Sequence, residues 1–241
     1  MGMIRKIEKS IRLRGVAGTA KFSSRVVLSR MQSWFNTAER RARAGAAHAE
    51  KEFDASYGID TRGIIPVSNL DVKRTTWMEG NAYQGVGVDV DFADLLAKIV
   101  EYEEISSFNF VDLGSGKGRA VLLASRLPFH SIVGVEFSAE LHRISINNLA
   151  HWPVQENIAE SVSFVCADAA EYPLPAGPLV LFMYNPFGVS IMSQVADRVA
   201  RHPARIIVVY FTPKHAELFD ALPRLHRVEV RQGCVVWDSG D

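Results

Sequence analysis

A doubly wound, mostly parallel α/β sheet of seven strands is the fold class this sequence predicts, with an antiparallel C-terminal hairpin and an N-terminal helical extension. Three observations predict it. Five short apolar runs, rich in β-branched and aromatic residues, recur between residues 108 and 211 without polar alternation. That is the pattern of strands covered on both faces. Stretches of helical periodicity separate them, and this alternation joins parallel strands through helices. A last pair of β-rich runs then flanks Gln232-Gly233, close enough in sequence to form a hairpin.

The elements follow in order. Ile4, Ile7 and Ile11 fall on one helical face beside Arg5, Lys6, Lys9 and Arg12. Val27, Leu28, Met31, Trp34 and Phe35 repeat the spacing, and "NTAERRARAGAAHAEKEFD" is rich in alanine and charge. Residues 1–55 therefore read as a basic helical arm. "YGIDTRGIIPVSNLDV" mixes glycine, proline and turn formers, so residues 56–82 read as an ordered connector. The main domain spans 83–241. Phe92, Leu95, Leu96, Ile99 and Val100 form the stripe of its entry helix. "FNFVDL", "SIVGVEF", "VSFVCAD", "PLVLFMYN" and "ARIIVVYF" are the strands, and helices are expected over 117–126, 138–150, 189–201 and 214–222. Ser138 is placed to cap one helix, and Thr212-Pro213 signals the start of another.

Composition bounds the function. The 241 residues are 48% apolar and 22% charged, ordinary for a globular protein that buries one large core. Cys166 and Cys234 have neither metal-type spacing nor a disulfide framework, and the seven histidines form no cluster in sequence, so no metal site is expected. With no spanning apolar run and no secretory leader pattern, a cytoplasmic location is expected. The zero net charge conceals an asymmetry. Residues 1–50 hold 11 lysines and arginines against 3 glutamates, and the remainder holds 16 against 24 acidic residues. A basic arm of this kind suits an anionic partner, either nucleic acid or a membrane surface that would make the protein membrane-peripheral; equally, it can dock on the acidic body of its own chain.

The strand ends carry the chemistry. Ligands of such sheets bind at the carboxyl ends of the strands, near the switch in strand order. There "FVDLGSGKGRA" places Asp112, Gly114, Ser115, Gly116 and Gly118 in one loop. A dinucleotide fingerprint spaces its glycines G-x-G-x-x-G against a pyrophosphate. Here the third glycine comes one residue early, and Asp112 would repel phosphate. Glu136, ending the next strand, can accept from both hydroxyls of a ribose. Phe137 can pack on an adenine face, and Asp168 can meet its amino group. The set suits a nucleoside with a charged amino-acid tail better than a dinucleotide.

"VDLGSGKGRA", "VGVEF", "VCADA" and "MYNPFG" resemble, in order, the motifs of class I S-adenosylmethionine-dependent methyltransferases, whose fold is Rossmann-like. The resemblance spans roughly residues 80–241. Within the class it is most similar to the non-SET histone-lysine methyltransferases and related small bacterial methyltransferases. It implies S-adenosylmethionine as cofactor, with Asp112 and the loop of Gly114, Ser115, Gly116 and Gly118 along its methionine end. Glu136 would then bind ribose, Phe137 flank adenine, Asp168 with Ala169 hold the adenine edge, and Tyr83 close over the cofactor. Asn185, Pro186 and Phe187 would sit beside the methyl group, where the Asn185 oxygen can orient an amine. The sequence departs from the family's commonest Asn-Pro-Pro-aromatic version, because Phe187 follows Pro186 directly. Lys117 and Arg119 are expected to face solvent at a helix start.

The implied activity is methyl transfer to nitrogen, on a protein lysine or a small amine; the methyl acceptor itself is not legible. Transfer to oxygen or carbon, with Tyr184 or His215 as base, is an alternative. So is a non-catalytic cofactor-binding adaptor working through the arm. An NAD-dependent oxidoreductase is disfavoured by the glycine spacing and Asp112.

Overall fold

The structure is a computed structural model and describes residues 44–70, 80–97, 99–231 and 233–240. The chain divides into two compact units, Met1–His48 and Ala49–Asp241. Of the first unit, residues 44–48 are described and are helical. The apolar-basic stripes of the arm lie outside the described residues, as does Gln232. Among the described residues, no helix is long and apolar enough to cross a membrane.

The second unit opens with helix α1 (residues 49–57). It stops at Gly58, whose φ of 66° is left-handed. The Ile59 N–H then turns back to the Asp54 carbonyl at 3.0 Å, a glycine-closed helix end. The buried Asp54 carboxylate holds the turn that follows, accepting from the Thr61 N–H, the Thr61 hydroxyl and the Arg62 N–H. Strands β1 (Ile64–Ile65) and β2 (Tyr83–Gln84) pair antiparallel across the connector.

Helix α2 (Phe92–Leu96) is capped by Asp91, which accepts from the Ala93 and Asp94 N–H groups. The expected stripe reached Val100, but the helix ends earlier. The Ile99 and Val100 N–H groups both turn to the Leu96 carbonyl, while the Ile99 carbonyl accepts from Arg205 at 2.8 Å. Phe92, Leu95, Leu96 and Val100 are nonetheless buried, so the apolar pattern marks the core face beyond the helix itself.

The sheet comprises β3 (Asn109–Leu113), β4 (Ser131–Glu136), β5 (Val162–Cys166), β6 (Leu179–Tyr184), β7 (Ile206–Phe211), β8 (His226–Arg231) and β9 (Cys234–Asp238). Its order is β5-β4-β3-β6-β7-β9-β8. The first five of these strands pair parallel, and β9 runs antiparallel to both β7 and β8. The chain moves outward from β3 through β4 to β5, then returns to β6 on the other side. The switch therefore opens a crevice above the ends of β3, β4 and β6.

Alternate strand residues serve opposite layers. Phe110, Phe182 and Val209 join Phe92 and Leu95 on one face. Val111, Leu181 and Val208 join Met192, Val195 and Val199 on the other. Phe110 and Phe182 stack 6.0 Å apart across neighbouring strands, and Phe92 meets each edge-on at 5.3 Å. Helices α3 (Arg119–Ala124), α4 (Ala139–His151), α5 (Val189–Ala200) and α6 (Ala216–Asp220) complete the unit. Ser138 caps α4 as its position predicts, accepting from the Leu141 N–H. Thr212-Pro213 does not start α6. Thr212 takes a φ of 50°, its N–H bonds the Gly233 carbonyl of the hairpin, and α6 begins only after His215.

Candidate functional site

The loop after β3 is shaped by what packs on it. Gly114 and Gly116 have left-handed φ values of 81° and 54°. A β-carbon at Gly114 would lie 2.6 Å from Pro186 Cβ, and one at Gly116 would lie 2.2 Å from the Tyr83 ring. Side chains at these positions would pay both strain and collision. The loop is thus held between the turn after β6 and the side chain of β2. Gly118 lies at the start of α3 and backs onto Phe164 instead.

Two cavities flank this sandwich and share Tyr83, Gln84, Gly114 and Tyr184. The first places Glu136, Phe137 and Leu141 opposite Pro186 and Phe187. The second is bordered by Asp112, Ser115 and Arg119. Residues from β2, the glycine loop, the end of β4 and the turn after β6 therefore meet in one crevice.

Its electrostatics are set by two buried carboxyls. Glu136 is 3% exposed; one oxygen accepts from the Gly116 N–H at 2.8 Å and the other from the Ser138 N–H at 2.9 Å. Burial pushes its pKa up to about 7, against the opposing pull of those backbone donors. Burial, then the charge of Glu136, holds Asp112 well above the carboxylate range. A ligand that brings hydroxyl donors or a positive charge restores both to the ionised form. A phosphate would do the reverse.

The expected site residues are distributed unevenly. Asp112, Gly114, Ser115, Glu136, Phe137, Tyr83, Pro186 and Phe187 all border one or both cavities. Asp168 and Ala169 border neither. Asp168 accepts from the Ala170 N–H and organises its own turn, while Ala169 faces the core and its carbonyl accepts from Arg198. Asn185 also lines neither cavity. It adopts a φ of 42°, and its buried Oδ1 has no hydrogen-bond partner. Phe187 is 5% exposed and belongs to the core beneath β6 as well as to the cavity wall. Tyr83 covers the loop, with its hydroxyl donating to the Thr61 carbonyl.

Lys117 and Arg119 contradict the expectation that they face solvent, being only 6% and 1% exposed. The segment after α1 folds back over the loop and covers them. Lys117 Nζ meets Asp60 at 2.7 Å and the Arg62 carbonyl at 3.0 Å. Arg119 Nε donates to the Thr61 hydroxyl, and its Nη1 donates to the Val86 carbonyl and pairs with Glu50 at 3.2 Å. Asn81 is a further residue that the sequence does not mark. Its Nδ2 donates to the Asn185 carbonyl at 2.8 Å, its N–H to the Pro186 carbonyl at 3.0 Å, and Gly80 bridges Phe187 beside it. The turn after β6 is thereby stitched to the strand that carries Tyr83.

No protein-family model matches this chain, and no curated protein matches it. Solved structures overlay part of it. An RNA methyltransferase from Salinibacter ruber, in complex with S-adenosyl-L-homocysteine, is 18% identical over 60% of this chain and 88% of that one, with a TM-score of 0.41. A ribosomal protein L11 methylase from Lactobacillus delbrueckii is 12% identical over 54% of this chain and 68% of its own, with a TM-score of 0.40. A Thermoplasma acidophilum protein is 15% identical over 61% and 85%, with a TM-score of 0.43. Overlaps of this size leave ligand and activity to be read from the site itself.

Proposed function

We propose that this chain is a methyltransferase that binds S-adenosylmethionine and transfers its methyl group to nitrogen, on a protein lysine or a small amine. The observation that carries the reading is the pair of buried carboxyls, Asp112 and Glu136, on either side of a left-handed glycine loop. They suit a ribose diol and a cationic tail, and they disfavour a dinucleotide's pyrophosphate. The buried, unpartnered Ser115 hydroxyl adds a donor at the same place. Glu136 would hold the ribose, Phe137 would flank the adenine, and Asp168, exposed at the next strand end, would take its amino group. Tyr83 would close the methionine end from above.

The bound cofactor would supply an electrophilic methyl group on a sulfonium, so alignment is the main demand on the protein. A lysine acceptor must also arrive neutral, at a cost of about 4–5 kcal/mol at pH 7. The turn Asn185-Pro186-Phe187 serves alignment. Pro186 and Phe187 wall the first cavity, and the unpartnered Asn185 Oδ1, buried behind that wall, would accept an amine N–H once acceptor binding opens the turn. A second reading, transfer to oxygen or carbon, draws on Tyr184, which borders both cavities.

Calorimetry with S-adenosylmethionine, S-adenosylhomocysteine and NAD tests the cofactor; binding of NAD alone overturns the reading. Tritiated methyl transfer into fractionated cell extract then finds the acceptor. Asn185→Gly tests the amine, because glycine accepts the left-handed φ and removes only the side chain. A folded Asn185→Gly should lose about 10²-fold in turnover with cofactor affinity unchanged. Undiminished labelling by that variant, with Tyr184→Phe inactive, would move the reaction to oxygen or carbon.

A further inference from the structure

Arg198, near the end of α5, reaches across to the turn that follows β5. Its Nη1 donates to the Tyr172 carbonyl and its Nη2 to the Ala169 carbonyl. A planar guanidinium can bridge two carbonyls in this way, whereas a lysine ammonium lacks the fixed fork that holds both. The side chain is partly buried, and its Nε has no partner among the described residues. Burial lowers its pKa, and the charge of nearby Asp168 opposes that shift. Burying an arginine to fix one short turn calls for a reason, and Asp168 supplies it.

Asp168 closes the turn on itself. Its Oδ1 accepts from the Ala170 N–H at 2.8 Å, and its carbonyl accepts from the Glu171 and Tyr172 N–H groups at 3.0 and 2.9 Å. Arg198 then fixes this closed turn to α5 through the Ala169 and Tyr172 carbonyls. Just ahead of it, the Ala167 N–H bonds the Glu136 carbonyl at 3.1 Å, which keeps the turn abreast of Glu136 and Phe137 at the first cavity. Asp168 itself stays exposed, and its Oδ2 accepts no hydrogen bond among the described residues. We infer that Arg198 is a positioning residue for base recognition: its bridge sets the turn so that Asp168 Oδ2 meets the exocyclic amino group of adenine. Arg198 touches no ligand and acts through Asp168. The inference rests on the proposed cofactor and deepens it. A base with a carbonyl in place of the amino group would set oxygen against carboxylate, so the bridge makes the site select adenine over hypoxanthine.

Calorimetry on the full chain with S-adenosylhomocysteine and S-inosylhomocysteine, which carries the carbonyl, tests this. The wild type should bind the adenosyl ligand at least about tenfold more tightly, as expected for a hydrogen bond to a charged group. Asp168→Asn should erase most of that preference, because an amide can serve either base; a preference it leaves intact overturns the inference. In Arg198→Gln the two ligands should bind nearly alike, with thermal melting recorded to show that the variant folds. Arg198→Lys, which keeps the charge but cannot bridge, should behave the same way. A residue serving stability alone would lower the melting temperature and weaken both ligands in proportion. An unchanged ratio in the folded variants therefore overturns the inference. If neither variant folds, hydrogen exchange in the wild type decides. The Glu171 and Tyr172 amides should be protected before ligand is added; protection that appears only with S-adenosylhomocysteine overturns the bridge as the cause. Equal binding of both ligands by the wild type also overturns it while leaving the cofactor reading intact. If neither ligand binds, both fail together.

Discussion

Glu136 shows how a single residue couples the fold to its ligand. Its carboxyl is held near a pKa of 7, against an ordinary value of 4.5. Between those pH values the native state keeps a proton that the unfolded chain has released. The unfolded state therefore binds fewer protons, and stability falls as pH rises through this window. Asp112, shifted in the same direction, adds to the slope. Glu136 alone should cost the ligand-free protein about 2–3 kcal/mol between pH 4.5 and 7.5. Glu136→Gln should flatten the profile, as denaturant titrations at several pH values would show. A wild-type stability that rises through the window relative to the variant would contradict the burial argument. Gly114 gives a second residue-scale test. Gly63 shares a left-handed φ, 95°, but stands in open space, whereas Gly114 presses on Pro186. Gly63→Ala should cost about 1–2 kcal/mol from backbone strain alone. Gly114→Ala should cost more and also weaken cofactor binding. Equal costs would mean that the loop and the turn after β6 are not tightly packed.

At the scale of elements, the strands were legible because burial on both faces leaves little but apolar β-formers. "PLVLFMYN" reads as a strand, and Leu179 through Met183 are all buried. Helix ends were less legible, because partners distant in sequence decide them. Arg205 takes the Ile99 carbonyl and Gly233 takes the Thr212 N–H, and no local spacing announces either. The same holds for Asn81, which fastens β2 to the turn after β6 across 104 residues. Asn81→Ala removes that hydrogen bond and should cost about 1 kcal/mol of stability. If the fastening aligns the turn with the cavity, methyl transfer should fall by a larger factor than stability predicts, while S-adenosylhomocysteine affinity stays within a few-fold. Proportionate losses in all three would make Asn81 a structural tie only.

At the scale of the whole chain, the sequence shows the sheet and the glycine loop but hides what lies on top of the loop. Read alone, "GKGR" carries two long charged side chains with no visible counter-charge nearby. Their partners lie in "EKEFDASYGIDTRG", where Glu50, Asp60 and Thr61 read as ordinary surface residues of an arm and connector. Folding makes this segment the roof of the loop. Asp54 shapes its turn, and Thr61 accepts from both Tyr83 and Arg119. The border expected between arm and connector, at residue 55, lies inside this segment. Two truncations separate these cases. A chain beginning at Ala49 keeps Glu50, Asp54, Asp60 and Thr61, and it should fold and bind S-adenosylhomocysteine with affinity close to the full chain. A chain beginning at Gly63 strips the partners from the buried Lys117 and Arg119. The acidic partners are themselves partly exposed, so the loss falls chiefly on the cover over the loop and on the Thr61 hydrogen bonds. That chain should melt well below the first and lose most of its affinity, even though every residue expected at the cofactor is still present. Equal melting temperatures for the two truncations would show that residues 49–62 do not support the loop.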